Sequence, residues 1–299
     1  MVGAQANLRV IAMTRRSLHE LPMSKTAAWA ARIAFFALAV AALSIIIVRS
    51  QLLEIVPALA TFGAALVLAG IAILFAFGAF VVIWRQGYAG LGRALLALFI
   101  GICLLAYPAY LGVRALRLPA ISDISTDTSN PPRFDTLARQ RPRDRINYPG
   151  AATALLQHAG YPDIAPLDLE VPSRIAYDAA LALVTKRKWA ISDSRAPTLA
   201  RRDGVIEATA RSPVMGFRDD VVIRLTPMGQ GTRVDVRSAS RVGTHDLGAN
   251  ASRIRSLLED IDDVVSAAPE PRQLPQVKTP QPAPKKGQRQ PDKRQPDKR

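Results

Sequence analysis

The sequence predicts a membrane protein in three parts. Three N-terminal transmembrane α-helices come first. An α+β domain follows, an antiparallel sheet with two helices on one face, and then a disordered C-terminal tail. Three observations predict this. Three long apolar runs fill most of the first 113 residues. Short segments of period two, framed by two of helical period, occupy residues 166–268. The stretch 269–299 is rich in Pro, Lys and Arg and repeats Gln290-Pro-Asp-Lys-Arg294 as Gln295-Pro-Asp-Lys-Arg299.

Charge and hydrophobicity separate along the chain. The 299 residues carry 39 basic and 24 acidic side chains, net +15, yet 49% are hydrophobic. The tail holds nine basic against three acidic residues, and 173–268 holds fifteen against twelve. The basic balance therefore belongs mainly to the tail and the helix flanks. It gives no argument for a nucleic-acid partner, and none is expected.

Residues 1–26 read as a basic cytoplasmic arm in which Met1, Met13 and Met23 are alternative starts. The anchor then covers 27–113, with spans at 27–48, 55–84 and 94–113. Each run reaches the ~20 apolar residues that cross a bilayer core. Arg32, alone in the first span, lies near its start and can snorkel to the interface. No small-x-small cleavage site follows that span, so it is expected to be retained. Gly63, Gly70 and Gly78 recur on one side of the second span, which predicts a close-packed helix face there. Basic residues in the arm and in the Arg85–Arg93 loop place the N-terminus inside and the domain outside. Cys103, the only cysteine, lies in the third span and excludes an intramolecular disulfide and a cysteine metal site.

Residues 114–165 read as a Pro-rich extended linker, with one short helix at 151–160. The domain at 166–268 opens with a strand at 167–171. A helix follows from Ser173, a candidate N-cap, with Ile175, Ala179, Ala182 and Leu183 on its apolar stripe. Strands are predicted from Trp189, at 204–210, at 217–226 and at 232–242, the last two joined by a turn at 227–231. A closing amphipathic helix spans 246–265, with Ile254, Leu257, Leu258 and Ile261 spaced for burial.

Strand parity sorts the side chains of the last hairpin. Asp219, Val221, Ile223, Leu225, Val234, Val236, Ser238 and Ser240 form the inner set. Arg224, Asp235, Asp220 and Arg237 point outward as cross-strand ion pairs. The inner face turns polar at one end, where Asp219, Ser238, Ser240, Asp246 and Asn250 converge, flanked by Arg237, Arg241 and Arg253. Caps and turn hydrogen bonds account for such a cluster. A site for a small polar or anionic ligand beside a helix N-terminus is the functional reading, and these eight residues are its candidates.

Phe217-Arg-Asp-Asp220, Arg237-Ser-Ala-Ser-Arg-Val-Gly243, Asp246-Leu-Gly248 and Asn250 resemble the family catalogued as domain of unknown function 1499. So do Asp123-Ile-Ser-Thr-Asp127, Pro131-Pro-Arg-Phe134 and Tyr161-Pro-Asp-Ile164. The resemblance covers about 121–265. It implies bacterial or plastid proteins, some with transmembrane helices ahead of the domain, and it implies no activity.

Ser240, His245 and Asp246 lie too close in sequence for a convincing triad, and no Gly-x-Ser-x-Gly elbow occurs. A single nearby His is a weak basis for a metal, and no phosphate-binding Gly-rich loop is present, so no cofactor is expected. Two functions remain. One is a non-enzymatic module that binds an envelope lipid, an anionic ligand or a protein partner, with the basic tail meeting anionic lipids or envelope polymers. The other is an envelope hydrolase built on Asp219, Ser240 and Asp246.

Overall fold

The computed structural model describes residues 22–50 and 55–267. Most of the N-terminal arm, part of the first loop and the basic tail lie outside the described residues. Three helices, α1 (Lys25–Ser50), α2 (Ile55–Gln86) and α3 (Leu91–Arg117), are long and apolar enough to cross a membrane. Each runs a few residues past the predicted spans at one or both ends. Their packing surface is alanine. Ala65, Ala69, Ala72, Ala76 and Ala79 of α2 are buried at alternating spacings of four and three; Ala72 and Ala76 pack with Ala30 and Ala34 of α1 and Ala97 of α3, and Ala79 with Ala27 and Ala94. The predicted glycine face is not the packed one, since a Cβ on Gly63, Gly70 or Gly78 would meet nothing within 4 Å. Seven- and eight-residue spacing puts those glycines on a neighbouring stripe, and the denser alanine stripe wins the contact. Arg32 stacks over Trp29 with its guanidinium 5.2 Å from the ring centroid, in the N-terminal part of α1.

The domain is a six-stranded antiparallel sheet. Its strands are β1 (Asp123–Ser125), β2 (Leu167–Leu169), β3 (Ala190–Arg195), β4 (Gly204–Arg211), β5 (Arg218–Met228) and β6 (Gly231–Ser240). The order is β1-β6-β5-β4-β3, with β2 pairing β6 beside β1. Three helices belong to it: α4 (Ala151–Gly160), α5 (Ser173–Lys186) and α6 (Ala249–Ser266). One core joins Val221, Ile223, Leu225, Val234 and Val236 of the central hairpin to α5 and α6 on one face. The buried positions of α5 are Ala176, Tyr177, Ala180, Leu183 and Val184, a stripe rotated from the predicted one, and Pro172 rather than Ser173 is its N-cap. In α6, Ile254, Leu257 and Ile261 are buried as predicted. The β5–β6 ladder runs to Met228 opposite Gly231, so the turn is tighter than predicted, with Gly229 at φ +61.

The largest departure concerns residues 114–165. They are not a free linker. β1 pairs with β6, and Ile121, Ile124, Tyr161 and Ile164 enter the main core. Phe134 and Leu137 cover the second face of the sheet, where they bury Val222 and Ala239. Prolines forbid long helices but not packing, and single apolar residues spread along an irregular path leave no periodic signal. The outward face is therefore a buried one.

Candidate functional site

The β5–β6 register sets Asp219 opposite Ser240 and Val221 opposite Ser238, while α6 begins just beyond the sheet end. This brings together Asp219, Ser238, Ser240, Asp246, Asn250 and Arg253. The Ser238 hydroxyl donates to Asn250 Oδ1 at 2.7 Å and accepts from Arg253 at 2.8 Å. Arg253 also donates to Asp219 Oδ2 at 2.6 Å. Asn250 Nδ2 donates to the Ser240 hydroxyl at 3.1 Å and to the Ser122 carbonyl at 3.0 Å. Asp246 accepts the backbone N–H groups of Gly248 (3.0 Å) and Asn250 (2.7 Å) at the start of α6, as a capping carboxylate does. Burial raises the pKa of Asp246, against the opposing pull of those two N–H donors. His245 is spent elsewhere. Nε2 bonds the Ala115 carbonyl at 3.2 Å, which makes it the donor, and Nδ1 accepts the Leu247 N–H at 3.1 Å. Neither ring nitrogen is left to take a proton from Ser240.

Arg237 and Arg241 do not join this cluster. Strand parity carries them through the other face, beneath the 126–148 wrap. Arg237 is 1% exposed and grips Asp123 with two bonds, at 2.9 and 2.7 Å. It also donates to the carbonyls of Pro132 and Ile146, and its guanidinium lies 4.7 Å from the Phe134 ring centroid. Asp220 takes Arg241 at 2.8 Å, Arg141 at 2.8 Å and the Thr209 hydroxyl at 2.9 Å. Glu207, also buried, accepts three backbone N–H groups, from Asp135, Thr136 and Leu137. Of the expected outer pairs, Arg224 and Asp235 do bond, at 2.9 Å. Asp220 and Arg237 do not, because the register places them opposite Ala239 and Val222. Tyr148 lies beside Arg237, and burial followed by the Asp123 charge pushes its pKa up to about 12.

Sequence reasoning missed Arg141, Glu207 and the true partners of Asp220 and Asp123. One signal was present. Between residues 114 and 267 the chain carries twenty arginines and only two lysines, Lys186 and Lys188. Arginine is the residue for buried, bidentate carboxylate pairs, whereas a merely solvated face accepts lysine as readily.

The polar end of the sheet sits on the helix ends. Arg49, at the end of α1, donates to the carbonyls of Pro213 (2.7 Å) and Val214 (3.1 Å) in the β4–β5 loop. Gly248 lies against Arg114 and Leu118 at a φ of +79, where a Cβ would collide with both. Beside this joint, a cleft of about 270 Å³ is lined by Asp123, Arg141, Asp144, Arg145, Ser240 and Thr244, among others. Among the described residues, no group of three or more His, Cys, Asp or Glu side chains could hold a metal ion.

Residues 123–261 match the family described as Protein of unknown function (DUF1499), which bears out the resemblance read from the sequence motifs. No curated protein matches the chain. Among solved structures, the chain is similar to the crystal structure of CalU16 from Micromonospora echinospora. The two are 12% identical, the match covers 34% of this chain and 83% of that one, and the TM-score is 0.19. So slight a likeness carries no argument about fold or function.

Proposed function

We propose that this chain is a non-enzymatic binding module of the bacterial envelope. Its three helices lie in the inner membrane and its α+β domain stands on the periplasmic side. There it meets an anionic ligand at the membrane surface, with a lipid head group as the leading case and a protein partner as the broader one. One observation carries this reading. The polar residues at the sheet end bond one another and cap α6, while that same end rests on α1 and α3. The cluster Asp219, Ser238, Ser240, Asp246, Asn250 and Arg253 thus acts as the rigid foot of the domain, and Arg237 and Arg241 hold the wrap. A hydrolase built on Asp219, Ser240 and Asp246 lacks a free base, and nothing else favours it. The basic tail would add unspecific attraction for anionic lipids or envelope polymers.

The test uses the full chain in nanodiscs made from an equimolar mixture of phosphatidylcholine and phosphatidylglycerol, extracted gently and weighed by native mass spectrometry. Retained phosphatidylglycerol, or another retained anionic ligand from the cell, is the expected result. A chain that carries only the bulk lipid ratio, and no other ligand or partner, overturns the reading.

A further inference from the structure

Three arginines meet at the sheet end that rests on α1. Arg211 of β4 and Arg218 of β5 are direct cross-strand partners, so their side chains share the face that also bears Arg241. Like charges placed directly opposite destabilise a ladder. Arg241 is paired with Asp220, a carboxylate it shares with Arg141. Among the described residues, Arg211 and Arg218 have no carboxylate within ion-pair distance. Burial, then Arg241 and Arg211, hold Arg218 below the ordinary arginine pKa, with the nearby Asp220 charge pulling the other way.

The surroundings suit a lipid. A crevice of about 120 Å³ opens beside Arg218 and Arg241, and its other walls include Val48 and Ile55 of the membrane helices, with Phe217 and Val242 of the domain. Gly216 packs on Arg49, the penultimate residue of α1, which fixes the crevice at the level where that helix ends. One wall is thus apolar and continuous with the membrane helices, and the other is cationic and belongs to the domain.

We propose that Arg211 and Arg218 form a seat for the phosphate of an anionic phospholipid, whose glycerol and upper acyl chains lie along Val48, Ile55, Phe217 and Val242. This deepens the functional reading above and rests on it. The guanidiniums donate charge-assisted hydrogen bonds to the phosphate oxygens, and the apolar wall excludes water from one side. The lipid supplies the counter-charge that Arg211 and Arg218 lack among the described residues, and it joins α1, α2 and the β4–β5 loop across the interface.

The experiment compares the lipid retained by the full chain in the same nanodiscs for four proteins: wild type, Arg211→Gln, the double variant R211Q/R218Q, and R201Q/R202Q. The last removes the same charge from exposed arginines at the opposite end of the sheet. We expect phosphatidylglycerol enrichment in wild type and in R201Q/R202Q. It falls by roughly tenfold in the double variant and by less in R211Q, whose exposed side chain can be changed without touching the core. Enrichment that survives in R211Q and the double variant overturns the seat and leaves the anionic reading standing. Equal loss in the double variant and R201Q/R202Q also overturns it, because bulk charge then suffices. No enrichment in wild type overturns the seat, and with no other ligand or partner retained it overturns the reading as well.

Discussion

Arg237 shows how far burial changes the meaning of a charged side chain. An exposed cross-strand pair is worth a few tenths to about 1 kcal/mol. Arg237 is instead 1% exposed, bonded twice to Asp123 and stacked near Phe134. Its removal strands a buried carboxylate, so Arg237→Ala should cost about 3–5 kcal/mol. The double change R237L/D123L should cost much less, since neither charge is then left alone. Urea titration of the full chain in detergent, followed by Trp189 in a Trp29→Phe, Trp84→Phe background, measures both. The Arg255–Asp163 pair is the contrasting case, because both partners are partly exposed. The Arg255 guanidinium holds Asp163 below the usual carboxylate range. A depressed folded-state pKa stabilises above the unfolded value, about 3.9, and that gain vanishes as pH falls through the folded value. The stability difference between wild type and Asp163→Asn should therefore be about 0.5 kcal/mol at neutral pH and disappear on acidification below pH ~4. At this scale the sequence made Asp246 legible, as a capping residue three positions ahead of α6. It left Arg237 illegible, because parity reports which way a side chain points and not what will cover it.

Among the elements, the β5–β6 hairpin and α6 could be read in advance because their periodicity is unbroken over ten or more residues. The short edge strands could not. β1 has three residues and hides in a segment whose prolines suggest a linker. β6 holds one edge of it, and a side chain of α4 holds the other. Gln157 donates to the Ser125 carbonyl at 2.7 Å and accepts the Ser125 N–H at 3.1 Å, standing in for a neighbouring strand. β2 is held differently, since Gly231 at the start of β6 lets the Leu169 carbonyl approach closely. A Cβ there collides with backbone, which cannot move as a flexible side chain can. Gly231→Ala should therefore detach β2, speed amide exchange at 167–169 and lower stability by about 1–3 kcal/mol, while amides 219–225 keep their protection. Hydrogen exchange with peptide-level readout separates the two regions. The same limit explains the glycines of α2. Three small residues at a regular spacing looked like a packing face, yet sequence alone could not rank them against a longer alanine stripe.

At the scale of the whole molecule, the anchor, the domain and their order were readable from hydropathy and period, whereas the way the two meet was not. Nothing in Arg49 or Pro213 as residue types announces a contact across more than 160 positions. The proposed orientation has a direct check. With Cys103→Ser as background, Gln230→Cys places a thiol at the hairpin tip, away from the helices. It should react with a membrane-impermeant maleimide in intact cells whose outer membrane has been opened. Labelling only after lysis would put the domain in the cytoplasm. The joint itself sets a working distance. α3 ends at Arg117 and β1 begins at Asp123. Even fully extended, that connection spans only about 20 Å. Most of its length is already committed, because Ile121 and Ser122 accept the backbone N–H groups of Asp246 and Ser240. The domain therefore has no slack with which to search the space above the membrane. On the proposed reading, the domain stays within reach of that short connection, and its binding surface is held beside the ends of α1 and α3 rather than carried away from them.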